Sequence, residues 1–149
     1  MGAYEEGAAL CAPFLLELPI TGLSISVVSG SGAQSTVGTS DLIAARLEEL
    51  QFQLGEGPTP DTLASGRAVL VPDIADESVS HRWAMFTPAA QEAGAEALFC
   101  FPMTVGVIPV GVVSLYAIAE RPQWSEAFCS WSWSSFLART SRCGFGRGR

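Results

Sequence analysis

Residues 95–118, AEALFCFPMTVGVIPVGVVSLYAI, carry the pattern that decides the fold of this chain. They contain two strongly apolar runs, at residues 95–103 and 109–118, separated by a short connection centred on Gly106. Adjacent apolar runs joined by so few residues are typical of two paired antiparallel strands. We therefore predict a β-hairpin at the centre of a sheet.

Further strands are predicted upstream of this hairpin. Residues 22–28, GLSISVV, alternate small polar with branched apolar residues, which is the period of a half-buried strand. A glycine-serine turn follows at residues 29–32, and residues 34–39 can return as the second strand of another hairpin. Residues 68–71 predict one more brief strand.

Helical spacing predicts two helices between these strands. Residues 41–53 follow an N-cap at Ser40 or Asp41, and Gly55 ends this helix. Its apolar stripe consists of Ile43, Leu47, Leu50 and Leu54. The motif Gly55-Glu56-Gly57-Pro58 then opens a short second helix that ends at Gly66, with Glu56 available to accept backbone hydrogen bonds. We read residues 74–94 as a polar loop with one short helix around residues 88–93.

Both ends of the chain are less regular. Leu10, Phe14 and Leu18 lie at helical spacing in residues 5–18, but Pro13 interrupts them and predicts a kinked or broken helix. A closing helix is predicted after Ser125. We assign residues 1–126 to one domain and residues 127–149 to an atypical tail rich in tryptophan, serine and arginine. The predicted fold class is α+β, with helices packed on a single, mainly antiparallel sheet.

Composition narrows the range of functions. The chain has 149 residues and a formal net charge of −7 without a basic stripe, so we expect no direct nucleic-acid binding by this domain. Glu5 and Glu6 stand where a secretory signal carries basic residues, and no run of eighteen apolar residues occurs, so we expect a cytoplasmic protein without membrane contact. The four cysteines never approach a CxxC spacing and favour packed, reduced thiols over a metal site.

Several blocks in residues 22–119 resemble one known family. The blocks are Leu47-Glu48-Glu49-Leu50-Gln51, Leu54-Gly55-Glu56-Gly57-Pro58, Gly66-Arg67-Ala68-Val69-Leu70-Val71-Pro72-Asp73, Arg82-Trp83 with Phe86, Ala93-Gly94, Phe99-Cys100-Phe101-Pro102-Met103 and Gly111-Val112-Val113-Ser114-Leu115-Tyr116. In this order they resemble the GAF domains of actinobacterial regulators, particularly the transcription antiterminators that combine GAF and ANTAR domains. The resemblance implies a GAF-like fold and a non-catalytic domain that senses a small ligand in signal transduction or transcription regulation.

The resemblance also implies a site. In the resembled fold the ligand cavity lies between the central sheet and the segment that crosses it, here residues 73–94. Its expected aromatic walls are Trp83 and Phe86 on that segment and Phe99 and Phe101 on the facing strand, with Asp73 and Arg82 as polar contacts. The alternative is that the aromatic side chains fill the core and that Asp73 caps the following turn. The ligand and any cofactor are left unidentified, and a homodimer through the terminal helices is expected.

The chain departs from the resembled pattern at three places. Thr59 stands where relatives often have a cysteine, Ala84 stands where they often have a proline, and no ANTAR helical bundle follows residue 126. A frameshifted or truncated reading frame after about residue 125 is our hypothesis for the unusual end.

Other functions stay open at this point. They are a thiol reductase with paired cysteines, a haem or redox sensor using His81 or Cys100, and a structural dimerisation module with a filled cavity.

Overall fold

The computed structural model describes residues 2–17 and 20–118 of the chain. Within these ranges the elements are, in order, α1 (Gly2–Glu17), β1 (Gly22–Val28), β2 (Gln34–Thr39), α2 (Leu42–Leu54), α3 (Pro58–Ser65), β3 (Val69–Val71), α4 (Glu77–Arg82), α5 (Phe86–Glu92), β4 (Ala97–Val105) and β5 (Ile108–Ala117). None of the helices in these ranges has the length and apolarity needed to cross a membrane.

The five strands form one sheet in the order β2-β1-β5-β4-β3, and every neighbouring pair is antiparallel. The predicted central hairpin is confirmed, since β4 and β5 pair along their length and Gly106 adopts a positive φ of 63° in the turn between them. Strand β5 lies in the middle because consecutive residues such as Val112 and Val113 are both buried, one on each face of the sheet. The fold class predicted from the sequence is thus confirmed.

Helices α2 and α3 form where they are predicted, with α2 shifted by one residue from the predicted range 41–53 and α3 ending before Gly66 as expected. The Asp41 side chain accepts a hydrogen bond of 2.9 Å from the backbone N–H of Ala44 and caps the start of α2. Gly55 and Gly66 end the two helices in the left-handed conformation, with φ of 67° and 68°.

Two predictions about the helices need correction. Pro13 lies inside α1, which runs as one helix, so a break at this residue is wrong. Cys11 and Phe14, on either side of the proline, both pack into the core and hold the two halves of the helix against the sheet. Residues 74–94 form two helices rather than one, because Asp76 caps α4 by accepting a hydrogen bond from Ser78 N–H. With six residues and none of them buried, α4 has no apolar stripe that a sequence pattern would reveal.

Some predictions concern residues outside the described ranges. They are the position of Leu18, the closing helix after Ser125 and the tail at residues 127–149. The described part of the predicted dimer surface is partly exposed, since Leu10 retains 46% of its accessible surface and Phe14 is half-buried.

Candidate functional site

The two faces of the sheet differ in chemistry because side chains alternate along each strand. One face, which we call the α1 face, is apolar and packs against α1. Its buried residues are Cys11, Leu23, Ile25, Ala97, Phe99, Phe101, Val113, Leu115 and Ala117. The opposite face, which we call the α2 face, lies under α2, α3 and the segment at residues 73–94, and it is mixed. It carries Ser24, Ser114 and Cys100 side by side on β1, β5 and β4.

A buried carboxylate from α2 lies on these polar strand residues. Glu48 is only 5% exposed, and its Oε1 atom accepts hydrogen bonds from Ser24 Oγ at 2.8 Å and Thr59 Oγ1 at 3.3 Å. The other oxygen, Oε2, accepts one from Ser26 Oγ at 3.1 Å. Ser114 Oγ lies 2.7 Å from Thr59 Oγ1 and can donate to it. We call these five residues the Glu48 cluster.

The carboxylate of Glu48 has neutral partners only. In the described part of the chain the two ion pairs are Arg46 with Glu49 and Arg82 with Asp61, and neither involves Glu48. Removing a carboxylate from water is costly unless charge or hydrogen bonds compensate for it. Here three hydroxyl groups supply the hydrogen bonds, while no basic side chain of the described residues balances the charge.

The motif between α2 and α3 places Thr59 in this cluster. Gln51 Oε1 accepts a hydrogen bond of 2.7 Å from the backbone N–H of Thr59 and so caps α3 from the neighbouring helix. Gly57 adopts a φ of 134°, and a Cβ atom added there would lie 2.7 Å from Gln51 Cγ. Glycine at this position therefore allows the close approach that brings Thr59 over the sheet.

Two cavities meet at Glu48. A groove of about 280 Å³ lies between β2 and α2 and is lined by Gln34, Thr36, Thr39, Ala45, Glu48, Glu49 and Phe52. A second cavity of about 10 Å³ lies deeper, against Ser24, Glu48, Cys100 and Ser114 among others. The inner cavity has room for about one water molecule, whereas the groove has room for a small organic molecule.

The structure separates the four aromatic residues of the predicted pocket. Trp83 and Phe86 are buried on the α2 face, in edge-to-face contact with ring centroids 6.2 Å apart. Phe99 and Phe101 lie on the α1 face. The expectation that the two pairs wall one pocket is wrong, because odd-numbered residues of β4 face α1 and only even-numbered ones face residues 73–94. A ligand-binding role for any of the four stays a prediction.

The two polar residues of the predicted pocket have local partners. Asp73 Oδ1 accepts a hydrogen bond of 2.8 Å from Ala75 N–H, as expected if it caps the following turn. Arg82 Nε donates to Asp61 Oδ2 at 2.8 Å, and the Arg82 guanidinium carbon lies 4.9 Å from the centre of the Trp83 ring. Whether Asp73 or Arg82 also contacts a ligand stays a prediction.

Two carboxylates tie the crossing segment to α3 and the loop before it. Asp61 Oδ2 also accepts a hydrogen bond of 3.1 Å from the indole N–H of Trp83. Glu56 Oε1 accepts hydrogen bonds from the backbone N–H groups of Met85 at 2.6 Å and Phe86 at 2.7 Å. The predicted availability of Glu56 for backbone hydrogen bonds is thus confirmed.

No family model and no curated protein matches this chain. Several solved structures do match this chain in fold. The GAF domain region of a Geobacter sulfurreducens protein, described as a membrane protein, superposes with a TM-score of 0.68 at 19% identity, covering 92% of this chain and 91% of that one. The chain has a GAF-like fold.

Two further structures show how varied proteins with the GAF-like fold are. The NreA protein of Staphylococcus aureus, mutated in its nitrate-binding site, gives a TM-score of 0.57 at 12% identity, covering 79% of this chain and 88% of that one. The type II free methionine-R-sulfoxide reductase of Thermoplasma acidophilum gives a TM-score of 0.53 at 12% identity, covering 85% and 83%. Function therefore has to be argued from the site.

The described thiols of this GAF-like domain do not form a pair. Cys100 lies on the α2 face and Cys11 on the α1 face, and both are free and buried. Burial raises the pKa of the Cys100 thiol to about 12, which disfavours the reactive thiolate. Its polar neighbours are the hydroxyls of Ser114 at 3.3 Å and Thr59 at 3.7 Å. Cys129 and Cys143 lie outside the described residues.

The remaining chemical candidate among the described residues is His81. His81 is exposed on α4, as expected for a surface histidine. Across residues 2–17 and 20–118, histidine, cysteine and acidic side chains form no group of three that could hold a metal ion.

The sequence analysis missed the Glu48 cluster, although two signals pointed to it. Glu48 lies four residues after Ala44 and therefore shares the buried side of α2. Ser24 and Ser26 alternate with apolar residues in a strand that is buried on both faces. A charged residue on the apolar face of a helix, together with serine residues that share one face of a strand, predicts a polar site between helix and sheet.

Proposed function

We propose that this GAF-like domain senses a small ligand without catalysing a reaction on it, and that it acts as an input module in signal transduction or transcription regulation. The observation that carries the proposal is the groove between β2 and α2, whose lining includes the buried residue Glu48. A concave site with few convergent polar groups is the usual form of a ligand pocket. The resemblance to GAF domains of antiterminators supports an ANTAR-type output.

The groove is well placed to pass a signal to α1. Strand β2 lines the groove through Thr36 and Thr39 and packs against α1 through Gly38. A Cβ atom added at Gly7 of α1 would lie 2.9 Å from Gly38 Cα, so the two backbones are in direct contact. A ligand that prefers one position of β2 would shift the population of α1 positions accordingly. An output domain or a second copy packed on α1 would receive that change.

A structural dimerisation module is the second candidate. Its supporting observation is the inner cavity of about 10 Å³, which leaves the α2 face nearly filled. The partly exposed Leu10 on α1 fits an association of this kind. A thiol reductase has less support, because it needs two neighbouring thiols, and the two described cysteines, Cys11 and Cys100, lie on opposite sides of the sheet.

A thermal-shift screen of small molecules against the full chain tests the proposal. A ligand at a hundred times its dissociation constant stabilises the domain by about 2.7 kcal/mol. Ala45→Trp fills the groove from α2 and should abolish the shift, whereas Leu42→Trp, exposed on the same helix and outside the groove, should retain it. A shift that survives Ala45→Trp would place the ligand elsewhere. A chain that is dimeric in light scattering and responds to no compound would favour the dimerisation module.

A further inference from the structure

We infer that the ligand of the groove is a small organic cation, an ammonium or guanidinium compound, whose charge lies against Glu48 and whose side contacts the ring of Phe52. This inference rests on the proposed function and specifies the chemical class of the ligand. The four features of the groove that support it are its charge, the free acceptor on Glu48, its exposed aromatic ring and its size.

The charge of the groove is negative. Its lining includes the carboxylates of Glu48 and Glu49 and no basic side chain. Glu49 is compensated at the rim, since one oxygen lies 3.2 Å from Arg46 Nη1 and the other accepts a hydrogen bond from Gln53 at 3.1 Å. In the described part of the chain the uncompensated charge is therefore that of Glu48, which is buried and whose hydrogen-bond partners there are hydroxyl groups. A cation in the groove would supply the missing opposite charge.

Among the described residues, the hydrogen bonds of Glu48 also leave one acceptor position unused. Oε1 accepts two hydrogen bonds, from Ser24 and Thr59, whereas Oε2 accepts one, from Ser26. Each carboxylate oxygen has two lone pairs, so Oε2 can accept one more N–H donor. Ser26, which donates to Oε2, pairs across the sheet with Thr36, so the hydroxyl group bound to Oε2 neighbours a residue that lines the groove. An ammonium or guanidinium group carries the donor that this position lacks.

An exposed aromatic ring flanks the same groove. Phe52 retains 76% of its accessible surface and lines the groove from the last turn of α2. Helix α2 already has a buried face formed by Ala44, Leu47 and Leu50, and Phe52 does not belong to it. Aromatic rings attract organic cations through their electron-rich faces. A phenyl ring and a carboxylate on one groove therefore favour a cation over a neutral or anionic ligand.

Size and charge exclude other ligand classes. The groove volume of about 280 Å³ lies just below the range of about 300–1,000 Å³ for drug-sized ligands, so a molecule of few heavy atoms fits. An anion such as nitrate would meet two carboxylates and no basic side chain of the lining. Although NreA, a protein with the same fold, has a nitrate-binding site, the ligand charge inferred here is the opposite one.

Calorimetric titration of the full chain with matched probes tests the inference. Choline and agmatine are the cationic probes, 3,3-dimethylbutan-1-ol is the neutral isostere of choline, and sodium nitrate is the anion. We expect at least one cation to bind about tenfold or more tightly than the alcohol, and nitrate not to bind. Glu48→Gln keeps the shape of the side chain and should weaken cation binding about tenfold or more. Phe52→Leu should weaken it severalfold.

Glu92→Gln is the matched control, because it removes an equal charge from an exposed position on α5. With a net charge of −7 the chain attracts cations in general, and such attraction would be equal in Glu48→Gln and Glu92→Gln. That equality would overturn the inference, as would the absence of millimolar binding by both cations. If Glu48→Gln does not fold, the comparison of Phe52→Leu with Leu42→Ala, an exposed apolar residue of α2 outside the groove, decides instead. A neutral or anionic ligand that Ala45→Trp blocks would overturn the ligand class alone, whereas binding unaffected by Ala45→Trp would overturn the proposed site.

Discussion

Replacing Glu56 with alanine should destabilise the domain by about 1.5–2 kcal/mol. The change removes the acceptor for two backbone N–H groups, those of Met85 at 2.6 Å and Phe86 at 2.7 Å. A hydrogen bond to a charged group contributes about 1.5–3 kcal/mol. Met85 is exposed, so water replaces the carboxylate there and only the Phe86 bond counts fully. The result also agrees with the cost of about 0.5–2 kcal/mol for the loss of a helix N-cap.

Urea unfolding followed by circular dichroism measures this difference. For a domain of about 150 residues it corresponds to a decrease in melting temperature of about 4–7 °C. Glu56→Gln retains an acceptor oxygen and should cost less than half as much, and Glu92→Ala on the exposed side of α5 should cost about 0.5 kcal/mol or less. The reasoning would be refuted if Glu56→Ala were no more destabilising than Glu92→Ala.

Three further predictions use residues of the same region. Trp83→Ala should cost about 3–5 kcal/mol in urea unfolding because the indole is a fully packed core side chain, and a loss below about 1 kcal/mol would contradict that placement. Asp61→Ala should cost about 1–2 kcal/mol because it leaves the Trp83 indole N–H without its acceptor. Arg82→Ala removes only an exposed ion pair and should cost less than about 1 kcal/mol. Equal losses in the two variants would contradict the larger role given to the indole hydrogen bond. Burial raises the pKa of Cys100 to about 12, against 9.0 for a free thiol, so the unfolded chain loses this proton at lower pH than the folded one. The contribution of Cys100 to the free energy of unfolding should therefore be complete below pH 9 and fall as the pH rises towards 12. In Cys100→Ala the stability should fall less steeply over this range.

Local signals predicted most of the fold. Alternation in residues 22–28 and the paired apolar runs at residues 95–103 and 109–118 gave the strands because one or both of their faces are buried. Gly55 and Gly66 gave the helix ends because each adopts a positive φ that other residues avoid. These features depend on residues close in sequence, which a pattern can register.

The site was harder to predict because it depends on which strand face meets which helix. Phe99 and Trp83 look alike as aromatic residues in the sequence, yet strand parity sends the first to the α1 face and the second lies in the segment covering the α2 face. The side chains of Glu48 and Thr59 meet above β5, at Ser114, which lies 55 residues after Thr59 in the chain. No local pattern contains that separation, and only the sheet order brings the three groups together.

The sheet also separates the buried side chains into two clusters, and β2, which lines the groove and contacts α1, is the element that connects them. The buried side chains of β4 and β5 belong to one cluster or the other, so the energetic effects of substitutions on opposite faces of these two strands should add, away from the connection through β2. Descendants of this sequence can then exchange Ser24, Glu48 or Phe52, and with them the chemistry of the groove, while the apolar packing of Phe99 and Leu115 against α1 stays intact. Because the groove and the apolar packing against α1 use different side chains, a new ligand specificity can arise without a prior increase in the free energy of unfolding.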